Sequence, residues 1–421
     1  MTLQMGISAL SFAQNFPFIQ YSEAQQIAPG VSWWSGESIA PNPLWQIRVI
    51  EVDLANPNVA LVPAIKLSSL DLEKTTAISD RFAALAAINA GYFSSGSSVS
   101  HFERFNSINA FTVRGPRSAF GLSRSLPPVL AQTPVTGGGA SSVNDVDWLS
   151  VTEAIGGGPS LLTNGAVDVR DVEENFDAQS GIGPTVRNPR TGLGWNTESK
   201  KVWLVTVDGR QPNWSVGMNL NELARLLQDL GANRGLNYDG GGSTVSVVNG
   251  QIINQPSDAG GERSVVTAWL VLPAYTVDNL SPDFSTTGSW IPSANSGFYG
   301  ENSLVKGGGT GTDVATWSVN LAETGTYRVE AWWVAASNRP TEAAFTITTA
   351  QGEQSISQNQ TANGSRWNSL GEFEVDAGTA SVSLSNQAPG GTFISADAVR
   401  WIRVQPVVEP EPVPANAWLT Q

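Results

Sequence analysis

One carboxylate, three consecutive glycines and two hydroxyl side chains stand together in the segment Asn237–Thr244. Glycine loses more conformational entropy on folding than other residues, so three in a row indicate a sharp turn or a close approach of the backbone to a ligand. Backbone N–H groups that point out of such a turn can form a concave seat for an anion. The segment therefore predicts one of two structures. Asp239 is an acid–base group beside a phosphate or oxyanion seat built by Gly240, Gly241 and Gly242, or it is the cap of a tight turn.

Composition restricts the chemistry of this 421-residue chain. The formal net charge is −14 at pH 7, so the chain would repel a phosphate backbone, and nucleic acid is not an expected partner. The absence of cysteine excludes disulfides, thiolate catalysis and cysteine-based zinc sites. The single histidine, His101, is expected at the surface and excludes a histidine triad or a multi-histidine metal site. Base chemistry near neutral pH must then come from carboxylates with shifted pKa values.

Changes in patterning divide the chain into four regions. They are a poorly ordered leader (1–28), an α+β domain with a mixed β-sheet and flanking helices (29–273), an all-β, jelly-roll-like sandwich (276–404) and an extended tail (405–421). Pro273-Ala274-Tyr275 marks the boundary between the two domains, and residues 94–150 form a Ser-, Gly- and Pro-rich insertion in the first. No apolar run is long enough for a transmembrane helix. No signal peptide is evident, because the leader lacks a basic start.

The spacing of apolar and polar residues predicts the strands and helices that must position the candidate acid–base and anion-binding groups. Apolar and polar residues alternate over Trp45–Leu54, as in a half-buried strand, and a leucine-rich stretch with helical spacing follows a capping residue, Asn219, and ends at Gly231. Asn164-Gly165 and Asn249-Gly250 predict hairpin turns. Further strands are predicted over Val59–Ile65, Ala86–Ala90, Ile108–Arg114, Ser118–Ser123, Lys201–Val207, Thr244–Val248, Ser264–Leu272, Ala315–Val319, Gly325–Trp333, Ala344–Thr348, Ser381–Leu384 and Ala398–Trp401, and a helix over Thr76–Leu85 with Thr76 or Ser79 as its cap.

Six blocks of the first domain resemble, in order, the motifs of the phosphodiester glycosidase family, whose best-known member is the mammalian uncovering enzyme. The blocks are Ala87–Phe93, Gly156–Pro159 with Leu161-Leu162 and Asn164-Gly165, Arg187–Thr191, Val207–Arg210, Ser215–Met218 and Asn237–Thr244. The resemblance runs from about Gly30 to Leu272 and implies hydrolysis of a sugar-1-phosphodiester. The insertion, 94–150, departs from the family pattern and is expected to reshape the cleft.

The second domain is similar to golvesin-like or xanthan-lyase-type C-terminal modules. The residues that carry this similarity are Asp278-Asn279, Phe284, Gly288, Trp290, Gly325–Tyr327, Val329, Trp332-Trp333, Trp367, Gly371 and Ala396–Val399. Four of its tryptophans, Trp290, Trp332, Trp333 and Trp367, predict either packing in the core or a face that stacks on sugar rings. Core packing is favoured, because adjacent residues of a strand point to opposite faces.

If the chain acts as this family does, two aspartates would share the chemistry on the sugar. Glycosidases usually use a pair of carboxylates to protonate the leaving group and to activate water. Asp239 and Asp208 both follow strand-like runs and precede glycine, so on neighbouring strands their carboxylates would face one cleft. Asp239 is the candidate nucleophile or base, and Asp208 its partner acid/base or a ligand of a sugar hydroxyl. The two roles are interchangeable at this level, and the structural alternative for Asp208 is a turn cap.

The phosphate of such a substrate would need positive charge and N–H donors. Arg190 is the first candidate for the clamp, because a guanidinium binds two phosphate oxygens at once, and Arg210 and Arg187 are the next. The alternative for each arginine is a brace for a turn. Asn89 is expected to bind a sugar hydroxyl, to orient an aspartate or to be a structural polar group. Gly157 and Gly158 are expected to let backbone amides approach the phosphate, and Ser243 and Thr244 to add hydroxyl donors or to serve as caps.

No cofactor is required by this chemistry. The acidic stretch 168–174 predicts a solvated loop, or alternatively an all-oxygen Ca²⁺ or Mg²⁺ site. The sequence thus predicts an exported, periplasmic or cell-surface glycosidase of a phosphoglycan, with a second domain that binds a cell-surface glycan. Two other hypotheses remain open: a non-catalytic glycan-binding protein, and a metal-dependent phosphodiesterase that cleaves P–O instead of C–O.

Overall fold

A computed structural model describes residues 19–38, 43–65, 72–94, 98–99, 103–105, 108–111, 117–123, 130–136, 139–140, 151–176 and 182–404. The tail 405–421, most of the leader and His101 lie outside the described residues, so the predictions made for them stay predictions.

The described residues of the first half of the chain form many short strands and two α-helices. In chain order they are β1 (Ile19–Tyr21), β2 (Gln25–Ala28), β3 (Val31–Ser38), β4 (Gln46–Asp53), β5 (Val59–Ile65), β6 (Glu73–Lys74), α1 (Thr75–Arg81), β7 (Ala86–Asn89), β8 (Phe93–Ser94), β9 (Ser98–Val99), β10 (Glu103–Phe105), β11 (Ile108–Phe111), β12 (Arg117–Ser123), β13 (Leu130–Thr136) and β14 (Gly139–Ala140). They continue with β15 (Val151–Gly156), β16 (Ser160–Thr163), β17 (Ala166–Val167), β18 (Arg190–Trp195), β19 (Lys201–Val207), α2 (Leu220–Asp229), β20 (Arg234–Tyr238), a short 3-10 helix (Gly241–Ser243), β21 (Ser246–Val248), β22 (Gln251–Ile252), β23 (Ser264–Val265) and β24 (Thr267–Asp278).

Two large sheets pack face to face in this half. One has the order β1-β3-β4-β19-β18-β20-β16-β17, and the other contains β22-β21-β7-β24 with β5 also paired to β24. Ile50, Leu204 and Leu236 of the first sheet meet Ile88 and Trp269 of the second in one buried cluster. The central strands β4, β19, β18 and β20 pair antiparallel, so the sheet predicted as mixed is antiparallel here. Alternation of apolar residues carries no information on strand direction.

Helix α2 covers the outer face of the first sheet, as its leucine spacing predicts. Asn219 and Glu222 form a reciprocal capping box at its start, and its buried leucines join the core of that face. Gly231 follows the helix with φ +100°, a value that glycine adopts without strain. Helix α1 was predicted less well, because it begins at Thr75 after Lys74 and Ser79 is buried inside it, so neither proposed cap is the N-cap.

The inserted residues also form a sheet. Strands β10 to β15 assemble in the order β11-β10-β15-β12-β13-β14, which confirms the strands predicted at Ile108 and Ser118. Both Asn-Gly hairpins are present, since Asn164, Gly165, Asn249 and Gly250 all have positive φ, as tight two-residue turns require.

Strand β24 runs through the predicted domain boundary without interruption. Thr267–Pro273 pairs with β5 along one edge, while the other edge pairs with β7 up to Val271 and with β35 (Ala398–Arg403) from Ala274 onward. Pro273 therefore lies where that second edge changes partner and needs no N–H donor there. The two domains share one sheet. The sequence did not predict this, because Pro273 was interpreted as the end of a strand and a domain boundary.

The second half of the chain is all β. Its strands are β25 (Phe284–Thr286), β26 (Ile291–Pro292), β27 (Leu304–Gly307), β28 (Val314–Leu321), β29 (Gly325–Ala331), β30 (Ala343–Thr349), β31 (Gly352–Gln358), β32 (Asn368–Val375), β33 (Gly378–Ser385), β34 (Phe393–Ala396) and β35. A five-stranded sheet, β25-β28-β33-β30-β31, packs across a shared core against the ladder β24-β35-β29-β32. The predicted fold class is confirmed: the described residues are mostly β, with two α-helices in the first domain and a β-sandwich in the second.

The tryptophans of the second domain belong mainly to its core. Trp332, Trp333 and Trp367 are each at most 4% exposed, and Trp290 is half-buried against the core. The alternative of a sugar-stacking face built from these rings is therefore wrong for the three buried ones, since a ligand cannot reach them. The rings of Trp332 and Trp367 instead pack edge to face on each other.

A chain of buried charges joins the two domains. Arg328 lies 3.5 Å from Glu153 of β15 and 3.5 Å from Glu330, and Arg400 contacts Glu330 at 2.6 Å. Separating such a pair leaves a buried charge without compensation, so these contacts favour one relative orientation of the domains.

A buried carboxylate makes the stability of the second domain depend on pH. Asp397 has no exposed surface, both of its oxygens accept from the N–H of Tyr299 at 3.2 Å, and burial raises its pKa to about 9. The folded protein thus holds this proton more tightly than the unfolded chain, and the resulting stabilisation, complete in acid, is lost as pH rises toward 9. Asp397→Asn mimics the protonated form. We expect its gain in Tm over the wild type to increase from pH 5 to pH 8 by on the order of several °C.

The measurement is a thermal unfolding series at both pH values, with the exposed Asp376→Asn as the matched control. An equal effect of Asp397→Asn at pH 5 and pH 8 would contradict the shifted pKa.

Candidate functional site

The ends of three strands bring Arg190, Asp208 and Asp239 to one edge of the first sheet. Strand β18 lies between β19 and β20 and runs antiparallel to both. The start of β18 at Arg190 therefore lies beside the ends of β19 and β20, where Asp208 and Asp239 follow. Because β18 separates them, the backbones of the two aspartates stand roughly two strand spacings, about 10 Å, apart.

A cleft of about 170 Å³ opens at this edge. Its lining residues are Tyr92, Ile182, Asn188, Arg190, Arg210, Asn237, Tyr238, Asp239, Gly240, Gly241, Gly242 and Arg263. The structure thus brings together Asp239, two of the three predicted arginines and the three glycines. The predicted residues outside this lining are Asp208, Arg187, Asn89, Gly157, Gly158, Ser243 and Thr244.

Asp239 is held in the cleft through its backbone, which leaves its side chain partly exposed. Its N–H donates to the carbonyl of Ala90 at 2.9 Å, and its carbonyl accepts from Nδ2 of Asn89 at 2.6 Å. Asn89 is fully buried, and its Oδ1 accepts from Thr191 Oγ1 and from the N–H of Val245. These hydrogen bonds go to protein groups, so of the roles predicted for Asn89 the structure supports the orientation of an aspartate, Asp239.

The three glycines differ in how strictly the structure needs them: backbone resists a side chain at Gly240 and Gly241, whereas only the ends of flexible side chains stand in the way at Gly242. A Cβ at Gly240 would lie 2.6 Å from the carbonyl oxygen of Pro189, Gly241 has φ +61°, and a Cβ at Gly242 would lie 2.2 Å from the Arg263 guanidinium. The amide of Gly241 donates to Pro189. That amide faces into the turn, so it does not contribute to the predicted anion seat.

The two hydroxyl residues after the glycines lie inside the protein. The amides of Ser243 and Thr244 close the short helical turn by donating to Gly240 and Gly241. Both side chains are at most 1% exposed, and Ser243 Oγ has no hydrogen-bond partner in the described part of the chain. Neither hydroxyl can donate to a ligand in the cleft in this conformation.

Gly157 and Gly158 support the cleft from behind. The amide of Gly157 donates to Ser118, and that of Gly158 donates to the carbonyl of Asn237 at 2.7 Å, so neither is available to a phosphate. The carbonyl of Gly158 accepts from Tyr92 Oη at 2.7 Å and from Asn237 Nδ2 at 3.0 Å. Their predicted role in binding the substrate is therefore replaced by a role in holding Tyr92 and Asn237.

Arg190 braces a loop with most of its N–H groups. Nε donates to the carbonyl of Met218, and the two terminal nitrogens donate to the carbonyls of Ile182, Gly183 and Val186 at 2.7–3.0 Å. Burial lowers the pKa of the guanidinium to about 10, so it remains charged at neutral pH. Arg190 therefore adds positive charge to the cleft, but its guanidinium is not open for the bidentate clamp that was predicted.

Arg187 is likewise engaged elsewhere. It makes a bidentate pair with Glu222 at the start of α2, with Nη2 2.6 Å from Oε1, and this carboxylate raises the pKa of Arg187. The alternative of a structural brace is the one that the structure supports for this arginine.

Arg210 is one of two exposed guanidinium groups in the described lining of the cleft, with Arg263. Its Nε donates to Asn188 Oδ1 at 3.2 Å, while its two terminal nitrogens have no hydrogen-bond partner among the described residues and lie against Gly241. Its φ of +59° is unfavourable for a residue with a side chain. Such strain, together with two open donors, identifies Arg210 as the best placed of the three arginines to hold an anion.

Asp208 is a buried anchor for two neighbouring segments. Its carboxylate accepts from Nε1 of Trp214, Nδ2 of Asn254 and the N–H of Gln255, all at 2.9–3.1 Å, and is 1% exposed. Burial raises its pKa, and these hydrogen bonds oppose the shift. A carboxylate outside the cleft with these donors around it cannot act as the predicted partner of Asp239 without rearrangement.

Tyr92, Asn237, Asn188 and Arg263 also line the cleft, but the sequence did not single them out for this role. Burial raises the pKa of the Tyr92 phenol, and the negative charge of Asp239 raises it further, so the two side chains interact electrostatically. Arg263 pairs with Asp258 at 2.7 Å. Tyr92 and Asn237 were visible within motif blocks. Arg263 lies outside those blocks, and nothing in the sequence marked it.

The acidic stretch 168–174 is not wholly solvated. Glu174 is 4% exposed and accepts from Ser118 Oγ, from the N–H of Ser118 and from the N–H of Ser160, and burial raises its pKa. This carboxylate ties β12 to β16. Within the residues that the structure describes, no three His, Asp or Glu side chains converge closely enough to hold a metal ion.

Comparison with known proteins confirms both resemblances. Residues 82–272 match the family model of the phosphodiester glycosidases, and residues 275–403 match that of the Golvesin C-terminal domain. A xanthan lyase from Bacillus sp. (strain GL1) is 34% identical over 139 residues, which are 32% of this chain and 15% of that protein. The chain thus spans only a small part of this relative.

Two solved structures are among those that match part of the chain. A hypothetical protein from Synechocystis has a TM-score of 0.45 and 16% identity over 58% of this chain and 62% of its own. The catalytic domain of zebrafish N-acetylglucosamine-1-phosphodiester alpha-N-acetylglucosaminidase has a TM-score of 0.42 and 21% identity over 63% and 86%. The family matches support a glycan-related hydrolase or binding role. In the described residues no helix is both long and apolar enough to cross a membrane.

Because Arg190 is buried and Arg210 is exposed, their substitutions are expected to change the free energy of unfolding by very different amounts. Arg190→Ala removes a buried charge and leaves several carbonyls unpaired, so we expect it to lower the free energy of unfolding by roughly 3–5 kcal/mol. Arg210→Ala removes an exposed side chain and should change it by less than about 1 kcal/mol. Urea denaturation of both variants measures the difference, and equal losses would contradict the assignment of Arg190 as the brace.

Proposed function

We propose that the cleft hydrolyses a sugar-1-phosphodiester, with water attacking the anomeric carbon and the phosphate monoester leaving. The observation that carries this proposal is the charge of the lining: Arg190, Arg210 and Arg263 surround Asp239 in a chain whose net charge is −14. Concentrating cations in one cleft of an acidic protein favours an anionic ligand and increases its local concentration. The match of residues 82–272 to the phosphodiester glycosidases supports the same substrate class.

Arg210 would hold the phosphate, because its two terminal nitrogens are open and a guanidinium matches two phosphate oxygens. Arg263 would add a second contact after exchanging Asp258 for the substrate. The positive charge of Arg190 strengthens the electrostatic field without direct contact. Donors placed where charge develops stabilise the leaving phosphate in the transition state.

Asp239 would act as the base. It takes a proton from water while the oxygen of that water bonds to the anomeric carbon, and the C–O bond to phosphate breaks with its electron pair on the phosphate. A nucleophilic Asp239 would need another group to activate water in the second step. Within the described lining Asp239 is the single carboxylate, and a phosphate leaving group needs little help from an acid. The base role is therefore the simpler one.

The substrate would be a bacterial polysaccharide or wall glycan with sugar-1-phosphate linkages, met outside the cell, and the second domain would bind a glycan of the same surface. Two alternatives predict different outcomes. A glycan-binding protein without activity would bind but not turn over substrate, and a metal-dependent phosphodiesterase would lose activity in EDTA.

The experiment is hydrolysis of a panel of sugar-1-phosphodiesters by the wild type and by two carboxylate variants. Asp239→Asn removes the base, so kcat should fall about 10²–10⁴-fold, the usual contribution of a positioned proton acceptor. Asp208→Asn keeps an acceptor oxygen for Asn254 and Gln255 and should lower kcat less than about tenfold.

Dialysis against EDTA serves as the control for metal dependence and is expected to leave turnover unchanged. A larger loss in Asp208→Asn than in Asp239→Asn would contradict the assignment of Asp239, and a wild type inactive on the whole panel would support the binding protein.

A further inference from the structure

Trp214 has an unusual environment at the rim of the cleft. Among the tryptophans in the described ranges it is the most exposed, at 37%. It lies in the turn that follows Arg210, where the N–H groups of Trp214 and Ser215 both donate to the carbonyl of Gln211. Exposure of a large apolar ring to water is unfavourable. The ring therefore either packs on its neighbours or binds a ligand with its exposed surface.

The indole cannot turn away from solvent, because Asp208 holds it. Nε1 donates to Asp208 Oδ2 at 2.9 Å, and the remaining acceptor sites of this carboxylate bind Asn254 and Gln255. This partly buried hydrogen bond fixes the edge of the ring, while 37% of the residue's surface stays exposed. A rigid aromatic face with few rotatable bonds loses little entropy on binding, which suits stacking on the C–H face of a sugar.

The rim that carries this ring is continuous with the cleft. Gln211 donates to the carbonyl of Gln255 and accepts from the side chain of the same residue, so the turn 211–215 is tied to the segment that leads to Arg263. Both Arg210 and Arg263 line the cleft. Asp208 and Asp239 follow strands two spacings apart, so the backbone of Asp208, whose carboxylate holds Trp214, lies roughly 10 Å along the sheet edge from the backbone of Asp239. A spacing of this size is comparable to the length of one sugar unit of a substrate.

We propose that Trp214, held by Asp208, is a stacking subsite for a sugar ring next to the scissile phosphodiester. This rests on the proposed function, because it places the ring beside the bond that the cleft would hydrolyse. It assigns a role to a tryptophan that no sequence motif marked and to the carboxylate that is absent from the lining of the cleft. The expected substrate class is a phosphodiester with a sugar on both sides of the phosphate.

Two substitutions separate stacking from simple support. Trp214→Phe keeps an aromatic face but loses the N–H donor to Asp208, whereas Trp214→Gln keeps a donor but loses the face. The probes are N-acetylglucosamine 1-(methyl phosphate), which has one ring, and an N-acetylglucosamine 1-phosphate ester of the 6-hydroxyl of mannose, which has two. Phe393→Ala, which removes an aromatic of similar exposure (38%) from the second domain, is the matched control.

If Trp214 stacks on the second ring, Trp214→Gln raises the ratio of KM for the two-ring ester to KM for the methyl ester about tenfold, whereas Trp214→Phe and Phe393→Ala change it less than about threefold. The reverse order, with Trp214→Phe impaired and Trp214→Gln like the wild type, would show that the indole only supports Asp208 and would overturn the subsite.

Failure of the proposed function gives a different result. If the wild type hydrolyses neither ester, calorimetric titration with phosphate-free chitotriose tests the subsite by itself. Binding that is lost in Trp214→Gln and kept in Trp214→Phe supports stacking. No binding to the wild type, or equal binding by all variants, overturns it.

Discussion

The side-chain amide of Asn89 is the contact on which the geometry of the cleft depends. From the end of β7 in one sheet it donates to the backbone of Asp239 after β20 in the other, and it accepts from Thr191 on β18 and from the amide of Val245. An unpaired polar group at this depth costs about 1–3 kcal/mol, so these partners constrain one another. The two sheets are thereby joined at Asp239, the residue whose carboxylate lines the cleft.

Around this junction one set of charged side chains holds the loops and strands in place, and a different set faces the cleft. Arg190, Asp208 and Glu174 are buried charged groups, and their hydrogen bonds go to loops and strands of the protein. Each costs desolvation energy, which its polar partners offset. The groups that line the cleft, Arg210 and the partly exposed Asp239, stand on this rigid base. Positioning by a second layer of side chains is what holds a reactive group within tenths of an ångström of a useful geometry.

Sequence reasoning found the elements and the location of the site better than the roles within it. Asn219, the leucine spacing of α2 and the Asn-Gly turns are local signals that act over a few residues, and they were predicted correctly. The glycines of 240–242 also identified the turn. In contrast, the partners of Arg190 and Asp208 come from loops folded against them, and Arg263 reaches the cleft only through tertiary packing. Whether an arginine supports a loop or binds a phosphate depends on how deeply its side chain is buried. The residue type alone does not give this burial. The continuity of β24 was hidden for the same reason, since Pro273 breaks a strand only where its missing N–H is needed.

The central claim is that Asp239 and Arg210 face each other across a bond between a sugar and a phosphate, and that the bond broken is C–O. Hydrolysis in ¹⁸O-labelled water, followed by mass spectrometry of both products, tests it directly. Attack on the anomeric carbon puts the label in the sugar and leaves the phosphate monoester unlabelled. Label in the phosphate would contradict the account, because it would mean that water attacked phosphorus and that the cleft works as a phosphodiesterase.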